Sequence, residues 1–172
     1  DEAGTRTVHF QEWWVRLHAK VPAVRFVAAG AQTAIPGPGV LQAIAEADFV
    51  LLPPSNPVVS IGIILAVPGV AEAVSAQPVV GVSPLISGAP VRGMADACLA
   101  AIGVEPTAAA VAAHYGRTLL DGWLVDTADA SAVDAPELAG IAVRAVPLYM
   151  TDVPATAAIA RAAIDLAQEL SR

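Results

Sequence analysis

The chain has little of what most recognisable ligand sites are built from. Its one cysteine, Cys98, excludes a disulfide framework and a thiolate metal cluster. Lys20 is the only lysine among nine lysines and arginines, and the arginines are scattered. With a net charge of −7, that leaves no basic patch of the kind nucleic acids or anionic membrane surfaces require. No Ser-His-Asp, zinc or glycine-rich nucleotide signature is present, and the glycine-rich stretch GAQTAIPGPG (30–39) fits none of them. Asp121, Asp126, Asp129 and Asp134 lack the spacing and the glycine of a calcium loop and read as solvated turns. The acidic, polar start of the sequence does not read as a secretory signal. A cytoplasmic protein is the simplest reading. The chain starts at Asp1 rather than at a methionine, as a processed, cut or partly represented chain does.

One long uncharged run is present, from Phe49 to Ala71. Its length suits a membrane span, but Pro53, Pro54, Pro57, Pro68 and Gly69 interrupt it, so a strand followed by a core helix explains it better. With 172 residues the chain reads as a single domain with a full core. The apolar fraction of 56% is above the ordinary range, much of it Ala and Val, which fits base bias or a face that packs on something outside this chain.

Patterning predicts strands over 5–10, 25–29, 49–52, 78–82, 123–125 and 143–147. It predicts helices over 10–18, 40–47, 60–76 with a break at Pro68, 90–102 closed by Gly103, 107–115 capped by Thr107 and ended by Gly116, 135–139 and 154–170. Apolar strands alternating with helices predict an α/β, Rossmann-like fold: a mostly parallel sheet with helices on both faces.

DFVLLPPSNPVVSIG (48–62) is the most informative stretch. A buried strand stops at two prolines, a tight polar loop follows, and then a helical run begins. Such a loop lies at the carboxyl end of its strand, where amides of the next helix start can face an anion. Pro54, Ser55, Asn56, Pro57 and Ser60 are therefore candidates for anion or nucleotide binding; local turn chemistry is the competing reading. In GVSPLISG (81–88), Ser83, Ser87 and Gly88 follow the next strand, which places this loop beside the first. Arg92, in PVRGMAD, stands at a helix start, either as a phosphate clamp or as a surface arginine. His9, with Gln11, Glu12 and the Trp13-Trp14 pair, lines a pocket for a flat ring or belongs to the core. His114 suits a helix C-terminus, His18 the surface, and Asp152 a helix cap.

HFQEWWVR (9–16), LLPPSNPVVSIGIILAVPG (51–69), VVGVSPLISGAPVRGMADACLAAIGVE (79–105), AAHYG (112–116) and VPLYMTD (146–152) together resemble the 2-phospho-L-lactate transferase family of deazaflavin coenzyme F-420 biosynthesis, its actinobacterial type in particular. The resemblance covers nearly the whole chain. It implies transfer of a phospholactyl or phosphoenolpyruvyl group from a guanosine diphosphate-linked donor to the terminal hydroxyl of the deazaflavin Fo, with release of GMP. It further implies Mg2+, a Rossmann-like fold and a homodimer. Carried over by motif, Pro54, Ser55, Asn56, Pro57, Ser60, Val82, Ser83, Gly88, Arg92 and Met94 become nucleotide-side candidates, and His9 and Trp13 weaker deazaflavin-side ones.

The family is about twice as long, so the resemblance also implies that this chain corresponds to a C-terminal portion. The aspartates that hold the metal are then expected in an N-terminal half, with no metal ligands here and no turnover by the chain alone. The competing functions are a nucleotide-sugar-binding regulatory protein of the same superfamily and a non-catalytic scaffold or dimerisation domain.

Overall fold

The computed structural model describes residues 4–171. Four strands, β1 (Val50–Leu52), β2 (Val79–Val82), β5 (Gly122–Val125) and β6 (Ala142–Ala145), form one sheet in the order β1-β2-β5-β6. Every pairing is parallel. β3 (Leu85–Ile86) and β4 (Ala89–Pro90) form a separate antiparallel hairpin. The chain is thus α/β with a parallel, Rossmann-like sheet, as the alternation of its segments predicts.

The alternating side chains of the strands feed two cores. Leu52, Val79, Trp123 and Val125 point to one face. There they meet α3 (Val70–Ser75), α4 (Ala95–Ala100) and α5 (Ala108–Tyr115) through Val74, Leu99 and Val111. Val80, Val82 and Leu124 point the other way, onto Ile159, Ala163 and Leu166 of α6 (Val153–Leu170). Full burial of a side chain of this size stabilises by about 1.5–3 kcal/mol, so both faces contribute. At Gly81 a Cβ would lie 2.5 Å from the Trp123 ring, so the missing side chain is what lets the indole cross the sheet.

Local chemistry sets the helix ends. Thr107 caps α5 by accepting from Ala110 N at 3.0 Å, and Gly116 follows its last residue with φ 74°. Asp152 caps α6 by accepting from Ala155 N at 2.7 Å. The run over 60–76 divides near Pro68 into α2 (Gly62–Leu65) and α3, as expected, but helical winding begins earlier, at Pro57. The segment 135–139 holds only a short 3-10 turn, Pro136–Leu138.

Three expectations fail. No strand forms over 5–10 or 25–29, although both read as strands. No sheet edge pairs with either segment, and a strand without a partner leaves its amides unpaired. Instead Phe10, Trp13 and Phe26 pack ring against ring, with centroids 5.3–6.1 Å apart, beside a wide π-type turn over Glu12–Arg16. The helix expected over 90–102 starts only at Ala95, because Ala89 and Pro90 belong to the hairpin. Asp134 is exposed as a solvated turn residue, but the other aspartates are tied to the backbone. Asp126 is buried, and Asp121 and Asp129 accept backbone N–H groups from Val79 and Ser87.

Candidate functional site

The carboxyl ends of β1 and β2 lie side by side, with Leu52 opposite Gly81. The loop 53–56 and the turn at Ser83 therefore emerge together, as their positions after parallel strands predict. Strand order does not reverse within the described sheet, so no switch point marks the site. It is defined by its loops.

The first loop is rigid. Ser55 N donates to Pro53 O at 2.7 Å. The Asn56 side chain accepts from Val58 N at 2.9 Å and Val59 N at 3.1 Å. Ser60 N and Ile61 N both donate to Asn56 O, which widens the turn over Pro57–Ile61 into a π-type turn. This changes the expected anion cradle. The first amides of the helical run are already satisfied by Asn56, and Pro57 has no N–H to offer. What remains toward solvent is Pro54, exposed, and Ser55, Asn56 and Ser60, half-buried; Pro57 is buried.

The second loop is tied down in the same way. Ser83 is 3% exposed, and its hydroxyl both accepts from Leu85 N and donates to Leu85 O. Ser83 N continues the ladder to Leu124 O at 2.9 Å. Val82 faces the α6 core. The hairpin turns on Ser87 and Gly88, both with positive φ (51° and 77°), a type I′ geometry. The positive φ of Gly88 is what asks for glycine, since a Cβ there would meet the Pro106 carbonyl oxygen at 3.4 Å, an ordinary contact.

Arg92 is exposed and has no ion-pair partner among the described residues. Met94, half-buried, precedes α4 and accepts from Cys98 N. α4 then returns to pack on the Pro57–Ile61 turn, so the two loops share one support. Cys98 is buried there. Burial pushes its thiol pKa up, a hydrogen bond with the Asn56 side chain opposes this, and Asp96 adds to the rise. Nothing in the chain pattern marked Cys98 as a neighbour of the loop, because the contact joins residues 42 positions apart.

His9 and Trp13 lie in the N-terminal arm. Trp13 is 6% exposed, enclosed by Phe10 and Phe26, and donates its indole N–H to Val21 O at 2.7 Å. His9 is exposed, and its Nδ1 accepts from Gln11 N. A cleft of about 850 Å³ runs along the arm, lined by Phe10, Trp13, Val21 and Phe26 and closed on one side by Val59 and Ile63. Arm and loop thus meet at Val59, whose amide is one of the two that Asn56 holds.

Sequence reading missed the two aspartates that organise the far side of these strand ends. Asp126 follows β5, is 4% exposed, and accepts from Ala128 N at 2.9 Å and Leu148 N at 2.8 Å. Asp129, one turn on, accepts from Ser87 N. An Asp directly after an apolar strand and before a short helical turn was the available signal. Among the described residues no three His, Cys, Asp or Glu side chains converge as metal ligands would, and no helix is long and apolar enough to cross a membrane.

Comparison with known proteins gives this geometry a family. The model of the family described as 2-phospho-L-lactate transferase CofD matches residues 2–146. A phosphoenolpyruvate transferase of Kitasatospora aureofaciens is 69% identical over 99% of this chain and 54% of its own length. One from Thermobifida fusca is 67% identical over 99% of the chain and 52% of its own length. One from Mycolicibacterium smegmatis is 54% identical over 94% and 50%. The chain spans about half the length of these relatives and matches their C-terminal portion. On these matches, the chain belongs to the 2-phospho-L-lactate transferase CofD family.

Proposed function

We propose that this chain is the nucleotide-side portion of a transferase of coenzyme F-420 biosynthesis. The whole enzyme moves a phosphoenolpyruvyl or phospholactyl group from a guanosine diphosphate-linked donor to the terminal hydroxyl of Fo. In this reaction the acceptor oxygen forms a bond to the phosphorus that carries the three-carbon acid, the bond from that phosphorus to the GMP oxygen breaks, and the hydroxyl proton is lost. Such chemistry asks the protein to position two substrates and balance charge rather than to supply a nucleophile. The absence of a nucleophile–base pair from the candidate site is compatible with that demand.

The observation that carries the reading is the pairing of two rigid polar turns, around Asn56 and Ser83, at adjacent parallel strand ends, in a chain 69% identical to a phosphoenolpyruvate transferase. With the helix-start amides occupied and the Asn56 side chain engaged with Val58 N, Val59 N and Cys98, the contribution assigned to this surface is the Ser55 and Ser60 hydroxyls and the Gly88 backbone, with Pro54, Asn56, Pro57, Val82, Ser83 and Met94 shaping the turns and Arg92 reaching the phosphates. The described residues do not assemble a Mg2+ site. His9 and the cleft under Trp13 lie on the side assigned to the deazaflavin. A homodimer in the cytoplasm is part of the same reading.

Calorimetric titration of this chain with GDP tests it. Saturable one-site binding is the expected result; no heat together with no thermal shift would leave only a scaffolding role. In the complete enzyme, Asn56→Ala is expected to weaken donor binding more than Fo binding, since it frees Val58 N and Val59 N and loosens the turn by about 1–2 kcal/mol. Equal loss for both substrates would count against the assignment. The chain alone is expected to give no turnover, and formation of the transfer product by it would refute that expectation.

A further inference from the structure

The Ser87–Gly88 turn is a poor match to its own geometry. A type I′ turn needs φ above zero at both central residues, and asparagine or aspartate followed by glycine satisfies it best. Here a serine occupies the first position at φ 51°. A residue with a Cβ is disfavoured in the left-handed region. Both residues of the turn lie outside the two cores: Ser87 is exposed and Gly88 half-buried. Yet the turn receives an external clamp. Both carboxylate oxygens of Asp129 accept from the single amide of Ser87, at 2.9 and 3.2 Å, across 42 residues of sequence. Asp129 is itself held at a kink in the 3-10 segment that Asp126 caps, where its amide donates to Asp126 O at 2.9 Å.

We propose that Asp129 is a positioning residue for nucleotide binding: it holds the Ser87–Gly88 turn in the conformation that presents the Gly88 backbone at the strand-end site. The inference rests on the nucleotide reading above. Asp129 does not touch the ligand; it acts through the Ser87 amide. Its carboxylate is needed as an acceptor and not as a charge, so an amide that keeps one oxygen on Ser87 N preserves the role.

The test uses this chain with GDP as the probe, read by calorimetry, with thermal denaturation and amide exchange of Ser87 beside it. Asp129→Ala is expected to weaken GDP binding about tenfold, the scale of one lost hydrogen bond, and to speed exchange at Ser87 while the melting transition stays cooperative. Asp129→Asn is expected to restore affinity to within about twofold of the parent. Ser87→Asn in the Asp129→Ala background is expected to recover most of the affinity, because asparagine favours the left-handed turn without help. Binding by the parent with unchanged affinity in Asp129→Ala overturns the inference alone. So does a weakened Asp129→Ala that neither Asp129→Asn nor the Ser87→Asn background rescues, since that pattern marks a general loss of structure. No GDP binding by the parent removes the nucleotide reading, and this inference with it.

Discussion

Trp13 and Trp123 are both buried, and both donate the indole N–H to a backbone carbonyl, Val21 O at 2.7 Å and Ala108 O at 3.1 Å. Their surroundings differ. Trp123 lies across Gly81 inside a parallel sheet, meets Tyr115 edge-on at 6.0 Å and belongs to the larger core. Trp13 packs against Phe10 and Phe26 in an arm without sheet pairing, whose Val24 and Val27 are 70% and 65% exposed. A buried aromatic with a satisfied N–H is thus no measure of how firmly a region is built. The sheet is held by ladders and two cores, the arm by one aromatic cluster.

The largest expected effect separates the two tryptophans. Trp123→Ala is expected to lower unfolding stability by about 3–5 kcal/mol in urea denaturation. Trp13→Ala is expected to cost about 1–2 kcal/mol globally, while limited proteolysis within residues 17–30 accelerates strongly. Similar global losses for both would erase the distinction drawn here.

A smaller effect sharpens the sheet side. Burial raises the Tyr115 phenol above its ordinary pKa of 10.0. The folded chain then keeps its proton where the unfolded chain loses it. Stability from this group is intact below about pH 10 and falls as pH rises past it, and Tyr115→Phe is expected to flatten that alkaline slope. An unchanged slope in denaturation midpoints between pH 9 and 11 would remove Tyr115 as its source. The smallest effect lies in the arm: Val27→Ser is expected to change stability by less than about 0.5 kcal/mol, whereas a core valine such as Val80 would not tolerate it.

The same contrast explains what could be read from the residues alone. The central strands, the caps at Thr107 and Asp152 and the break near Pro68 follow from local chemistry and were legible. The segments over 5–10 and 25–29 carry similar apolar patterns, but a strand exists only where another strand accepts its hydrogen bonds, and sequence pattern does not state that. At the site, adjacency of the two loops followed from parallel strand order. The closure of the helix-start amides by Asn56 did not, because the same asparagine is compatible with a free or an occupied cradle. Asp129 and Cys98 act across long sequence separations, where spacing carries no signal, whereas Asp126 stands directly after an apolar strand, a local signal that the reading as a solvated turn passed over.

The central claim is that the guanosine nucleotide sits on the turns around Asn56 and Gly88 rather than in the aromatic cleft of the arm. Backbone amide shifts of the labelled chain during GDP titration test it most directly. The account predicts saturating changes at Ser55, Asn56, Ser60 and Gly88, with the indole signals of Trp13 and Trp14 unmoved. Changes concentrated on Trp13, Phe26 and Val27, with the Asn56 turn silent, would contradict it.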